Sequence, residues 1–60
     1  MLKKKVIVAR KDATLKTLLK QNGISPLEYF IIVKKTIVHS LDKKIKTGTR
    51  IEAYPKIAGG

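Results

Sequence analysis

The chain has 60 residues. This is enough for one domain with a small core, since a chain of this size buries only about 60% of the surface that it exposes when unfolded. The absence of cysteine excludes disulfides, thiolate catalysis and cysteine-based zinc sites. Fourteen Lys and Arg against four Asp and Glu give a net charge of +10. Such a charge either attracts polyanions, namely RNA, DNA or an acidic protein, or keeps a lysine-rich surface soluble.

No apolar run approaches the roughly 20 residues of a membrane span. The first five residues, Met-Leu-Lys-Lys-Lys, do not have the pattern of a signal peptide. We therefore expect a cytoplasmic monomer with no membrane partner.

The first half of the chain predicts a strand followed by a helix. Residues 5–10 are short and β-branched, which favours a strand, and residues 11–13 are predicted to form a turn. Thr14 is suited to cap a helix. The helix has one apolar face with i, i+3, i+4 spacing, made of Leu15, Leu18 and Leu19.

The end of this helix is marked by Gly23, which can adopt the left-handed conformation of a helix C-terminus. Ile24 is expected to fold back onto Leu19, as in a Schellman motif. Ser25-Pro26 prevents the helix from continuing.

The next elements are predicted to be two strands and a helical turn. Tyr29–Val33 is a continuous apolar run with strong β propensity, which favours a central strand. Residues 34–36 form a tight connection to a short returning strand at 37–38. Residues 40–45 are expected to form one helical turn, with Leu41 and Ile45 pointing inward at i, i+4 spacing.

The last predicted element is a strand over residues 50–54, after a turn in which Gly48 supplies a positive φ. Its alternation places Ile51 and Ala53 on one face. Pro55 cannot donate to a sheet ladder, so pairing is expected to weaken or end there on one side. The element order indicates an α+β fold, a mixed sheet with one helix packed across it. We expect the domain to cover residues 1–56 and residues 57–60 to form a flexible tail.

Catalysis by side chains is not expected. His39 is the only histidine, so a metal site with several histidines cannot form. A nucleophile that pairs with a second histidine is excluded for the same reason. The four acids are scattered along the sequence without a spacing suited to acid–base work. We therefore predict that the protein is not an enzyme and binds no metal or cofactor.

The charge leaves open a small basic nucleic-acid-binding protein as the alternative function. Such a protein would stack bases on exposed aromatic side chains, and only three are present. Tyr29 and Tyr54 are candidates for exposure, whereas Phe30 fits the core equally well. The candidate contacts with nucleic acid or with a protein partner are Lys34, Lys35, Tyr54 and Lys56.

The chain ends in Gly59-Gly60. Glycine has no Cβ, so an extended Gly-Gly backbone can enter a narrow channel and bring a terminal carboxylate to a reactive phosphate. This pattern fits a tail that is itself the substrate of another enzyme.

The order of these segments resembles that of the ubiquitin-like sulfur carriers. The stretch from Thr14 to Pro26 is similar to their helix and the turn after it, and residues 30–35 resemble their next strand. Residues 41–53 resemble their final turn and strand. The end, Ile57-Ala58-Gly59-Gly60, is similar to the tail of the thiamine-pathway sulfur carrier and of the small subunit of molybdopterin synthase.

The resemblance implies a β-grasp fold, a mixed sheet wrapped around one helix. The N-terminal hairpin would be very tight or shortened, because only 13 residues precede Thr14. It also implies that a partner enzyme uses ATP to adenylate the Gly60 carboxylate, with Gly59 giving the tail clearance. A sulfur-transfer partner would then form a thiocarboxylate for thiamine, molybdopterin or tRNA thiolation. Joining to protein lysines is the other outcome implied, and the net charge favours a carrier that serves tRNA.

Overall fold

The computed structural model describes residues 3–56. One helix and six strands form in this part of the chain: β1 Lys5–Val8, β2 Ala13–Thr14, α1 Leu15–Gln21, β3 Tyr29–Val33, β4 Thr36–Ile37, β5 Lys44–Ile45 and β6 Arg50–Pro55. The predicted α+β class is confirmed. The predicted tail, residues 57–60, lies outside the described residues.

The main sheet has the strand order β1-β6-β3-β4, and each neighbouring pair is antiparallel. The expected mixed sheet, which would contain a parallel pair, is not observed among the described strands. The topology explains the difference. β1 and β3 run in the same direction and are joined through α1, but β6 lies between them and is antiparallel to both. This is a split β-α-β arrangement.

The helix α1 forms as its sequence predicts. The Thr14 side chain accepts a hydrogen bond from the Thr17 backbone N–H at 3.3 Å, which caps the first turn. At the other end, Gly23 has φ +65°, and the Ile24 N–H donates to the Leu19 carbonyl at 2.9 Å. This bond and that from Gly23 to Lys20 make the predicted Schellman motif.

A second, two-stranded sheet pairs β2 with β5. Here the structure corrects two predictions. The predicted turn at 11–13 includes the start of β2, and the expected helical turn at 40–45 is a short turn followed by β5. Asp12 holds the two segments together, since its Oδ1 accepts from both the backbone N–H and the hydroxyl of Thr47 at 2.8 Å.

The β3–β4 hairpin turns through two residues, Lys34 and Lys35, so the tight connection predicted over 34–36 is one residue shorter and β4 begins at Thr36. Both have positive φ, 52° and 64°, which is the conformation of a type I′ turn. Asn-Gly is the usual sequence there, because side chains with a Cβ are strained in left-handed backbone. The hairpin therefore contains local strain at two adjacent lysines.

The core lies between α1 and one face of the main sheet. Its buried side chains are Ala9, Leu15, Leu18, Leu19, Ile24, Tyr29, Ile31, Val33, Ile45, Ile51 and Ala53. In the part of the chain that is described, no helix is long and apolar enough to span a membrane.

Candidate functional site

The face of the main sheet that is turned away from α1 is not covered by another described element. We call it the helix-free face. Because side chains alternate along a strand, it carries the residues between the buried ones: Lys4, Val6 and Val8 from β1 and the residue before it, Arg50, Glu52 and Tyr54 from β6, Phe30 and Ile32 from β3, and Ile37 from β4.

An aromatic pair stands at one end of this face. Phe30 and Tyr54 are direct cross-strand partners on the two central strands. Phe30 is 46% exposed, whereas Tyr29 is only 3% exposed. The expectation that Tyr29 is a candidate for exposure is therefore wrong, and Phe30, which the sequence left open between core and surface, is a surface residue. Tyr54 is half-buried on the helix-free face, so the aromatic side chains of the face are Phe30 and Tyr54.

Lysines lie over both rings. The Lys4 Nζ is 4.9 Å from the centroid of Tyr54, and the Lys56 Nζ is 5.2 Å from that of Phe30. Both distances are in the range of cation–π contacts. We call these four residues, Phe30, Tyr54, Lys4 and Lys56, the aromatic end of the face.

A single carboxylate completes this group. The Tyr54 hydroxyl donates to Glu52 Oε2 at 3.0 Å, and the Lys4 ammonium forms an ion pair with the same oxygen at 3.3 Å. These contacts lower the pKa of Glu52, first through the Tyr54 hydrogen bond and then through that of Lys4. The pKa of Lys4 is raised, first by the Tyr54 hydroxyl and then by the Glu52 carboxylate. Glu52 therefore stays ionised and its charge is compensated by Lys4.

The four predicted contact residues fall into two groups. Tyr54 and Lys56 lie together at the aromatic end. Lys34 and Lys35 follow the opposite end of β3, because β3 leaves the aromatic end at Tyr29 and reaches the turn after Val33. The structure thus does not bring the four residues into one site.

Lys34 contributes to a different basic feature. It lines a cavity of about 350 Å³ together with Lys43, Lys44 and Lys46. All four lysines are exposed to solvent, and the lining contains no acidic side chain.

The chain is still held to the domain at its last described residue. The Lys56 N–H donates to the Glu28 carbonyl at 2.8 Å. The predicted acyl-carrying residue Gly60 and its neighbour Gly59 lie outside the described residues, and their sequence positions begin three residues after this bond.

His39 lines an apolar cavity of about 220 Å³ that also contacts Phe30, Leu27, Ile37 and Lys56. Within residues 3–56, no three His, Asp or Glu side chains are grouped so that they could hold a metal ion.

The sequence did not identify Phe30 as a surface residue, although one signal was present. Ile51 and Ala53 alternate clearly toward the core, and their partners on β3 are Val33 and Ile31. Pairing the two strands by this alternation would have placed Phe30 on the opposite face.

No family model, curated protein or solved structure matches the chain. Its function is therefore inferred from its own residues.

Proposed function

We propose that the protein is a sulfur carrier that acts through its C-terminal glycine. The proposal is supported by the order of its segments, which resembles that of the ubiquitin-like sulfur carriers, and by the sequence Gly59-Gly60 at the end of the chain. In this function the protein is the substrate of a partner enzyme rather than a catalyst.

The observation that carries the proposal is the position of Lys56, the last described residue, at the end of a central strand. β6 is a central strand, and Lys56 is hydrogen-bonded directly after it. Four residues follow Lys56, and they can span at most about 14 Å. A partner enzyme that acts on Gly60 must therefore approach within this distance of Lys56.

The chemistry at Gly60 follows from the poor reactivity of a carboxylate. A carboxylate oxygen attacks the α-phosphorus of ATP in the partner enzyme, pyrophosphate leaves, and an acyl-adenylate forms. A hydrosulfide equivalent then attacks the acyl carbon, AMP leaves and a proton is released, which gives the thiocarboxylate. If a lysine amine attacks in place of sulfur, AMP leaves in the same way and an isopeptide bond results.

We further propose that the fold is a β-grasp variant whose N-terminal hairpin is shortened to one strand, β1, which is antiparallel to β6, so that the sheet lacks the parallel pair of a mixed sheet. Its support is one helix packed on one face of a four-stranded sheet, with the last strand in the centre. Within the described residues, β1 is the only strand of the main sheet before α1. β1 pairs with β6, so no further strand separates them.

The test uses the absence of cysteine. Protein purified from its own cells is treated with iodoacetamide at neutral pH and its intact mass is measured. Because the chain has no thiol, a thiocarboxylate would be its most reactive sulfur nucleophile. We expect a species heavier by the replacement of one oxygen with sulfur, and we expect iodoacetamide to alkylate that species selectively.

Two tail variants and one control define the outcome. Deletion of Gly60 should abolish the sulfur-containing species, and Gly59→Ala should reduce it because the added Cβ narrows the clearance of the tail. Lys16→Gln, on the exposed side of α1, should leave it unchanged. Branched adducts that depend on Gly60 would indicate the modifier role. An unmodified carboxylate in protein from cells that actively thiolate their tRNA and cofactors would contradict the proposal.

A further inference from the structure

The aromatic end has the features of a surface that stacks bases. Phe30 and Tyr54 are side by side on the two central strands of an antiparallel sheet, on the face that no described element covers. Phe30 is nearly half exposed and lies beside the exposed Leu27 and Ile37 around one cavity, and a contiguous exposed apolar patch marks an interaction surface. Sheet-borne aromatic side chains that stack successive bases are a recurrent means of binding single strands.

Charge converges on the same end. Because β1 and β6 are antiparallel with Lys5 opposite Ala53, Lys4 lies beside Tyr54 at the end of β6, whereas Lys5 is on the other face, with its Nζ 5.6 Å from the centroid of Tyr29. Lys56 lies at the same end as Lys4, directly after β6. The whole chain has 14 basic and four acidic residues. The acidic residue on the helix-free face, Glu52, is already paired with Lys4. A polyanion is the partner that complements such a surface.

We propose that the aromatic end is a binding platform for single-stranded RNA, with one base stacked on Phe30, the next on Tyr54, and the phosphates met by Lys4 and Lys56. This site is independent of the carrier chemistry at Gly60, and it would operate whether or not the tail is activated.

The lysines that lie over the two rings do not oppose this binding. An exposed cation–π contact contributes a factor of about 2 to 5, whereas stacking of a base on an aromatic side chain contributes about 5- to 150-fold. The base therefore displaces the ammonium group. Lysine has a flexible stem, so the released ammonium can turn to the phosphate beside the stacked base.

The cavity next to Phe30 extends the platform. It has about 220 Å³ and is lined by Leu27, Ile37, His39 and Lys56 in addition to Phe30. Leu27 is 85% exposed, so this rim is apolar and open to solvent. The base that follows the one stacked on Phe30 can enter this cavity. The two aromatic rings and the cavity therefore provide three successive places for bases.

Glu52 supplies the reason for choosing RNA over DNA. The contacts of Tyr54 and Lys4 both go to Oε2, so within the described residues Oε1 remains available as an acceptor. Its position beside Tyr54 suits a ribose 2′-hydroxyl, which can donate a hydrogen bond and which DNA lacks. The platform therefore distinguishes the two sugars through one carboxylate oxygen.

The test measures fluorescence anisotropy of a short labelled oligouridine at low salt. The double variant Phe30→Thr/Tyr54→Thr keeps the net charge and a β-branched residue at both positions. It should bind at least about 25-fold more weakly, from a factor of about 5 for each lost stack. The matched control Val6→Thr/Val8→Thr lies on the same face and has no aromatic ring. It should bind within about 2-fold of wild type, as expected for surface changes away from the site.

Additional probes separate stacking from simple charge attraction. Heparin offers negative charge without bases, so Phe30→Thr/Tyr54→Thr should bind it as wild type does. Tyr54→Phe retains the ring and should keep most of the affinity for oligouridine. Lys56→Gln should reduce the slope of log affinity against log salt by about 0.7, the value for one phosphate contact on a single strand. Circular dichroism confirms that each variant is folded.

Three outcomes would overturn the proposal. Unchanged oligouridine binding by the folded double aromatic variant would exclude stacking. If the double aromatic variant lost affinity equally for heparin and for oligouridine, the interaction would be explained by charge alone. The helix-free face would then be a candidate surface for a protein partner instead. Equal affinity for oligouridine and oligodeoxyuridine, unaltered by Glu52→Gln, would remove the assignment to RNA. Deletion of residues 57–60 should leave RNA binding intact, so failure here and failure of the carrier proposal are distinguishable.

Discussion

The Lys34–Lys35 turn offers a direct measure of the strain in the β3–β4 hairpin. Both residues have left-handed backbone, and such a conformation costs an L residue about 1 kcal/mol or more. We predict that Lys34→Asn/Lys35→Gly stabilises the protein, since Asn tolerates this region and Gly is unrestricted in it. Gly has more conformational freedom than Lys in the unfolded chain, and this offsets about 0.4–1 kcal/mol of the stabilisation. The net expected stabilisation is about 1 kcal/mol.

Urea denaturation followed by circular dichroism measures this change. With a slope of about 1 kcal/mol/M for so small a domain, the midpoint should rise by about 1 M. The substitution also removes two positive charges from a chain of net charge +10. Lys34→Gln/Lys35→Gln removes the same charges but keeps a Cβ in both strained positions, and it serves as the control. A midpoint for the Asn-Gly variant that is no higher than that of the Gln-Gln variant would refute the attribution to backbone strain.

Three further substitutions test other parts of the structure. Leu15→Ala leaves a cavity at a fully buried position and should lower the free energy of unfolding by about 2–5 kcal/mol. This is a large part of the roughly 3–9 kcal/mol expected for a domain of 60 residues. A urea midpoint close to that of wild type would contradict this prediction. Gly48→Ala places a side chain at φ +89° and should cost about 1 kcal/mol, seen as a fall of about 4–8 °C in Tm, whereas an unchanged Tm would show that the turn relaxes. Asp12→Asn removes a carboxylate whose pKa is lowered from its usual 3.8, first by the Thr47 backbone N–H and then by the Thr47 hydroxyl. The stability that this carboxylate provides is present above that usual value and is lost as the pH falls through the lower folded pKa, so the urea midpoints of wild type and variant should converge in acid, and a constant difference at every pH would contradict the assignment.

Local signals in the sequence were sufficient for the helix. The cap at Thr14, the apolar spacing of α1 and the left-handed Gly23 each depend on residues within one or two turns of one another. They agree with one another, and the structure contains all three.

The parts that the sequence did not predict depend on pairing between distant segments. Strands β2 and β5 have only two residues each, and no periodicity can be detected over that length. The i, i+4 spacing of Leu41 and Ile45 fits a helical turn, but it fits equally a turn followed by a strand, which the pairing with β2 stabilises.

The aromatic end illustrates the same limit at a candidate site. In the continuous apolar run Tyr29–Val33, every residue is suited to either face, so the run alone does not determine which side chains are buried. The register with β6 makes that choice. The sequence therefore predicted the strand and named Tyr54 and Lys56 as candidate contacts, but it did not name Phe30, the cross-strand partner of Tyr54.

The position of β1 at the rim of the main sheet affects how copies of the protein approach one another. Among the described strands, β1 is paired on one side only, and Val6 and Val8 are 43% and 56% exposed. A rim of this kind can pair with the same rim of a second molecule. The lysines at residues 3–5 stand on or beside this rim, so their charge repels a second copy, over about 10 Å at 0.1 M salt but only about 3 Å at 1 M. Ionic strength therefore affects how closely two β1 rims can approach each other, and the charge of the lysine run opposes their edge-to-edge pairing.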